Sequence, residues 1–182
     1  MSKINWVYHE NYDIPLKLNH RFTSSKFSDL FYELKKTVLY KNAIINQPKK
    51  ANIIDLSISH SVDYINKIKN GLLNYKEERK LGLTWSKRLS ERSFLAVNGT
   101  LLASKLAISN GIGCHLGGGT HHSHYDYGSG FCVFNDLAYS ALKLIESKIV
   151  KKILIFDCDV HQGDGTARIL SKYDDIFTCS IH

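Results

Sequence analysis

The sequence has 182 residues, 43% hydrophobic and 23% charged, with a formal net charge of +7. That length suits one domain with a real core, and the composition is ordinary for a soluble globular protein. No run of about 18 apolar residues is present, which excludes a membrane span, and MSKINWVYHENYD contains no apolar segment of signal-peptide length.

The charge is uneven. Residues 1–110 carry 18 Lys/Arg against 9 Asp/Glu, while residues 111–182 carry 6 against 8. A basic chain invites a nucleic-acid reading. Here the lysines lie singly or in pairs along helical patterns, as on a solvated face, and no basic run is interleaved with aromatics. The acidic second half is where a cation would be welcome. Cys114, Cys132, Cys158 and Cys179 are scattered without a CxxC, and read as reduced, mostly buried thiols of a cytoplasmic protein.

In chain order, residues 4–8 (INWVY) predict a first strand. A helix starts near Ser24 or Ser25, with Phe27, Leu30, Phe31, Leu34 and Val38 at helical spacing. A second helix follows Ser61, with Val62, Ile65, Ile68 and Leu72 inward. Residues 74–84 predict a polar, mobile loop. A long helix spans about 87–110, with Leu89, Ala96, Val97, Leu101 and Ile108 inward and Gly111 after its end. GIGCHLGGG reads as a short strand running into a glycine-rich loop. Residues 135–147 predict a helix with Leu137, Ala141, Leu144 and Ile145 on one face. KKILIFD and DIFTCSIH predict buried strands, with a short helix over 164–172 between them. This alternation means βαβ units and a parallel sheet, an α/β fold. Ligands in such sheets bind outside the carboxyl ends of the strands, where the two chemically dense stretches, 117–136 and 157–165, both lie.

In a strand, side chains at i, i+2 and i+4 share a face. Strand geometry running through residue 161 therefore points Asp157, Asp159 and His161 one way, and Cys158 and Val160 the other, into packing. Converging buried charge needs compensation, and carboxylate oxygen with imidazole nitrogen suits zinc or another first-row metal. The bland alternative is an Asp–His pair capping the next helix. In GGGTHHSHYDYGSGFCVFND, glycines 117–119 allow a tight turn close to a ligand. His121 and His122 stand just beyond a strand end, with the pKa range a base needs. His124 reads as loop surface. Gly128 and Gly130 form another tight loop, and Phe131 is placed to wall a slender substrate. Binuclear manganese hydrolases use D-x-H-x-D. Here position 163 is Gly and the carboxylate comes at Asp164, which favours a single metal and leaves Asp164 to orient a histidine.

At GGGTHH, GSGFCVFND, DCDVHQGDGTA and CSIH the sequence resembles the zinc-dependent histone deacetylase family, which includes bacterial acetylpolyamine and acetoin-utilisation relatives. NHRFTSSKF and SHSVDYI resemble that family's opening helices, and Gln162 resembles its bacterial and class IV branch. The resemblance implies an arginase/deacetylase-like, three-layer αβα parallel-sheet fold. It implies Asp159 and His161 as zinc ligands, and His121 and His122 as the catalytic pair with Asp157 and Asp164 as carboxylate partners. Gly130 and Phe131 would line the acyl-lysine tunnel. Asp157, Asp159, His161, Ser180 and Ile181 match the site of a monovalent cation such as potassium. The implied reaction is hydrolysis of an acetyl-lysine or acetylated amine by metal-activated water. His122 takes the water's proton, and a histidine protonates the leaving amine. The basic surface argues for a small acetylated amine or a non-histone protein.

That family's pattern has two further parts downstream, a second aspartate ligand and an oxyanion-donating Tyr. Nothing after CSIH supplies them. Losing one oxyanion donor costs on the order of 10²–10³ in rate. The expectation is a partial deacetylase-like domain over 1–182, incomplete at its C-terminal side, weakly active or inactive alone, or completed by a complementing C-terminal polypeptide. A doubly wound nucleotide-binding domain is the weakest reading, since GGGTHH offers neither a Walker lysine nor GxGxxG.

Overall fold

Strand β1 (Ile4–Val7) lies at the centre of a parallel sheet, flanked by β2 (Ala43–Asn46) and β3 (Gly113–His115). The computed structural model describes residues 3–23 and 25–182, so the expected helix start at Ser24 lies outside the described residues. Trp6 and Val7 of β1 are buried, and so is Asn5, whose side-chain oxygen accepts from Asn46 Nδ2 at 3.2 Å. Strands β4 (Ile153–Asp157) and β5 (Ile176–Ser180) pair in parallel, with Asp157 opposite Ser180. Among the described residues the named strands form two parallel sheets, not the single continuous one expected.

Seven helices among the described residues connect these strands. Helix α1 (Lys26–Lys35) buries Phe27, but Leu30 is exposed, and Val38 sits in a separate 3-10 turn facing solvent. The short helix α2 (Ile53–Leu56) was not expected; Asn52 caps it by accepting from the Asp55 backbone N–H at 2.7 Å. Helix α3 (Val62–Asn70) starts where Ser61 accepts from Tyr64 N–H. Ile65 and Ile68 are fully buried, each worth about 1.5–3 kcal/mol of transfer free energy, while Val62 and Leu72 face solvent. The expected loop over 74–84 is instead helix α4 (Tyr75–Leu81). Asn74 accepts from Lys76 and Glu77 N–H, and Glu77 Oε2 accepts from Asn74 N–H at 2.7 Å. This capping box sets the helix going, and burial of Leu81 and Leu83 anchors it. The run KEERK concealed it, because a solvated helix face and a polar loop have the same composition.

The long helix α5 (Lys87–Asn110) matches its expected limits and packs against β1, β3 and helix α6 (Asp136–Glu146). Leu89, Ala96, Val97 and Leu101 are buried, whereas Ile108 is exposed near the helix end. In α6, Tyr139 and Leu144 join the main core with Phe134, and Ala138, Ala141 and Leu142 join a second cluster with Ile169, Leu170 and Ile176. Helix α7 (Asp164–Leu170) closes the last βαβ unit.

The second sheet, whose strands β4 and β5 read as buried, has one open apolar face among the described residues. It is covered on one face only: Leu154 and Phe156 alternate outward at 64% and 56% exposure, and Phe177 is also exposed. Side chains of a strand alternate between faces, and among the described residues the helices pack against the face of Ile153 and Ile155. No helix among the described residues is long and apolar enough to cross a membrane. The four cysteines are free thiols, but only Cys132 is buried, while Cys158 and Cys179 are exposed.

Candidate active site

The site is assembled from the ends of β3 and β4. The glycine turn after β3 is held from below by Asp136, the first residue of α6. Its fully buried carboxylate accepts from Gly119 N–H at 2.9 Å, from Thr120 N–H at 2.7 Å and from the hydroxyls of Thr120 and Thr100. Thr100 Oγ1 also meets His115 Nδ1 at 2.7 Å, and His115 Nε2 meets the Tyr12 hydroxyl at 2.7 Å. Burial pushes His115 below the usual imidazole range. Gly118 is required here because a Cβ would lie 2.6 Å from both Asp136 Oδ2 and His115 Nδ1. Close approach of backbone to side chains demands the absent Cβ.

This turn delivers His121 and His122. His121 is buried, and its Nδ1 meets Asp157 Oδ2 at 2.6 Å; its Nε2 lies 3.8 Å from Asp159 Oδ1. His122, more open, meets Asp164 Oδ1 through Nδ1 at 2.9 Å. The two rings lie 4.1 Å apart, and the His122 ring is 5.8 Å from that of His161. Thr166 N–H donates to His121 carbonyl at 3.0 Å, which ties α7 to the histidine segment.

The strand does not run through to residue 161 as expected; β4 ends at Asp157. Beyond it, the backbone turns on its own carboxylates: Asp159 N–H donates to Asp157 Oδ1 at 2.9 Å, and His161 N–H to Asp159 Oδ1 at 2.8 Å. Asx turns of this kind suit Asp. They still bring Asp159 and His161 to the pocket, with His161 Nδ1 at 3.1 Å from Asp159 Oδ1. The His161 backbone N–H holds the Asp159 carboxyl below its usual range; burial opposes this, and the His161 ring adds to it. Cys158 and Val160 do not pack inward; Val160 is 79% exposed, because the alternation that would have buried it has ended.

The pocket is a cavity of about 390 Å³ walled by His121, His122, Asp159, His161, Gly130 and Phe131, among others. Phe131 has φ 65, and its N–H donates to Leu81 carbonyl at 2.8 Å. A non-glycine residue with this conformation stores strain, a feature that clusters at functional sites. Arg92 also lines the pocket. Its buried guanidinium donates to Tyr12 and Gly117 carbonyls, and lies 4.5 Å from the Phe27 ring. Cys132 contributes a wall, and burial pushes its thiol up to about 12. A thiol so raised is not a nucleophile.

At the far side of Asp157, Ser180 Oγ accepts from Gly163 N–H at 3.2 Å, and Ile181 N–H donates to Asp157 carbonyl at 3.0 Å. The structure thus gathers Asp159, His161, His121 and His122 round one pocket, with Asp157 behind His121, Asp164 behind His122, and Ser180 and Ile181 behind Asp157. His124 is not loop surface: its Nε2 lies 3.2 Å from Asp164 Oδ2. Sequence reasoning also missed Asp136, His115, Tyr12 and Arg92. The motif FCVFND contains Asp136, but helix-start chemistry already accounts for an Asp there.

The fitness of the site for zinc is partial. Asp159 and His161 offer the right donor types at adjoining positions. Among the described residues, however, no group of three His, Cys, Asp or Glu side chains is arranged to hold a metal ion.

The sequence profile of the histone deacetylase domain matches residues 20–182. The chain belongs to the histone deacetylase family. An uncharacterized protein of Picosynechococcus sp. is 39% identical over 97% of this chain and 59% of its own length. The acetoin utilization protein AcuC of Staphylococcus aureus is 36% identical over 76% of this chain and 38% of its own length. Histone deacetylase 2 of Arabidopsis thaliana is 29% identical over 91% of this chain and 45% of its own length. The chain therefore spans about half the length of the curated relatives it matches. The crystal structure of the HDA15 HD domain superposes with a TM-score of 0.83 at 18% identity, covering 100% of this chain and 53% of that one. That likeness establishes the deacetylase-type α/β fold. Within this fold, His121, His122, Asp159 and His161 line one pocket, and Asp157 and Asp164 stand behind the two histidines.

Proposed function

We propose that this chain carries the catalytic half of a zinc-dependent deacetylase that hydrolyses an N-acetyl group from acetyl-lysine or a related acetylated amine. The observation that supports it is the pairing of two histidines with two carboxylates, His121 with Asp157 and His122 with Asp164, facing Asp159 and His161 across one cavity. Zinc, when bound by Asp159 and His161 with a further ligand, supplies Lewis-acid polarisation of the amide and a water acidified toward a pKa of about 7.

The chain's own residues do the rest. Asp164 accepts from His122 Nδ1–H, so the Nε2 lone pair of His122 is free to take a proton inside the pocket. Asp157 accepts from His121 Nδ1–H and fixes that ring in the same way. A histidine then returns a proton to the leaving amine. Gly130 and Phe131 line the acyl-lysine passage, with Phe22 5.5 Å from the Phe131 ring. Asp157, Asp159, His161, Ser180 and Ile181 are the matching residues for a monovalent cation such as potassium behind the pocket.

The test is stoichiometric zinc binding together with release of acetate from an acetyl-lysine peptide, both lost in His161→Ala. Undiminished turnover in that variant refutes the assignment. A second reading is favoured by the lack of three convergent ligands among the described residues: this stretch alone is weakly active and gains activity from a complementing polypeptide that supplies the third ligand. Turnover by a verified 182-residue monomer at the rate of a longer relative rules that reading out.

A further inference from the structure

Asp164 has two oxygens and the structure occupies both with imidazoles. Oδ1 meets His122 Nδ1 at 2.9 Å; Oδ2 meets His124 Nε2 at 3.2 Å. His122 faces the pocket, whereas His124 touches none of it. We propose that His124 is a positioning residue, which holds the second oxygen of Asp164 so that the first presents a fixed acceptor to His122.

The backbone on both sides of this contact is already fixed. Thr166 N–H donates to His121 carbonyl, and His124 N–H donates to Tyr127 carbonyl at 2.9 Å. Ser61 N–H donates to Tyr125 carbonyl at 2.8 Å, which ties the same loop to the start of α3. What remains free is the rotation of the Asp164 carboxylate about its last bond, a broad and shallow torsion. Asp164 is about half exposed, so water competes for any oxygen left open. A second hydrogen bond removes that freedom and sets the plane of the carboxylate. The acceptor lone pair then keeps His122 in the Nδ1–H tautomer, which leaves Nε2 unprotonated toward the pocket. Histidines are ordinarily oriented by the group that holds their other nitrogen. Here the orienting group is itself oriented.

His124 is in turn held in place. Its ring stacks on Tyr127 with centroids 4.5 Å apart and planes at 21°, and Lys80 Nζ lies 3.1 Å from the Tyr127 centroid. Burial raises the Asp164 carboxyl, but the hydrogen bonds from His122 and His124 outweigh it and hold Asp164 below its usual range. The carboxylate is therefore ionised at neutral pH and able to accept from both rings.

This role rests on the deacetylase reading, but its test can be separated from it. The informative variant is His124→Phe, which keeps a ring on Tyr127 and removes the donor to Asp164. In long-range proton–nitrogen spectra of the 182-residue chain at pH 7.5, wild-type His122 should show a single Nδ1-protonated tautomer. The Phe variant should show mixed tautomers. In the zinc-loaded protein, kcat on an acetyl-lysine peptide should fall about tenfold with KM unchanged, in the range for losing such a partner. His124→Gln, which retains an N–H donor, should restore the wild-type His122 signals and most of kcat. A Phe variant whose His122 signals match wild type overturns the proposal and leaves His124 as a loop strut. If the Phe variant does not fold, the Gln variant decides: it must keep the His122 signature, and its loss overturns the proposal. Spectra need neither zinc nor turnover, so an inert wild-type protein counts against the deacetylase reading alone.

Discussion

His60 Nε2 accepts the backbone N–H of Asn135 at 2.9 Å, with both residues fully buried. Asn135 caps α6 through Ala138 N–H and donates through its amide to the carbonyls of His121 and Ser123. One imidazole thus supports the start of the helix that carries Asp136 and the segment that carries His121 and His122.

Acid should unfold the protein through this residue. Burial lowers His60 from 6.5 to about 4. Between those values the unfolded chain binds a proton that the folded chain excludes, so stability rises with pH across the window. His60 contributes its full share above about pH 6.5 and loses it as pH falls toward 4. The lost share is about 3 kcal/mol, at 1.36 kcal/mol per unit. Denaturant unfolding from pH 7 to 4.5 should show this decline in wild type and a flatter one in His60→Gln. Equal slopes would count against it.

Asp136→Asn should destabilise strongly. The substitution turns one acceptor oxygen into a donor amide, so two of the four donors, which share each oxygen in pairs, lose their acceptor. Hydrogen bonds to a charged group are each worth about 1.5–3 kcal/mol, so a loss of about 3 kcal/mol is expected. A urea midpoint within error of wild type would show that the glycine turn does not depend on this carboxylate.

Gly130→Ala should injure the site more than the fold. Gly130 has φ 54, and a Cβ there would meet His122 Cδ2 at 2.5 Å. An alanine is strained in that conformation and also pushes on the His122 ring. A thermal shift of a few degrees with at least tenfold loss of acetyl-lysine turnover is the expected outcome. Turnover equal to wild type would place His122 outside the reaction.

Zinc should be held through Asp159 and His161. Asp159→Asn should weaken zinc at least tenfold in a competition assay with a coloured chelator. Cys114→Ser and Cys179→Ser should leave the affinity unchanged. The reverse pattern would move the metal away from this pocket.

Much of this architecture was legible in the residues. Helices α5, α6 and α7 and all strands but β2 follow from periodicity and from glycine and serine at their ends. Helix α4 was hidden because a mostly solvated helix and a loop share one polar composition; the reciprocal bonds of Asn74 and Glu77 and the burial of Leu81 set it apart. Helix α1 was over-extended to Val38 because apolar spacing does not say which apolar residues find a partner.

The local chemistry was inherent in the chain. A strand ending in Asp157, a turn-forming Asp159 and the His121–His122 pair after three glycines carry their donor types wherever they fold. Their meeting was a matter of tertiary structure, because His121 and Asp157 are 36 residues apart and a hydrogen bond of 2.6 Å exists only when two sheet ends are brought together. The same holds for His124 and Asp136. Each has an ordinary local role, as a loop residue or a helix start, and long-range packing gives each one its second partner.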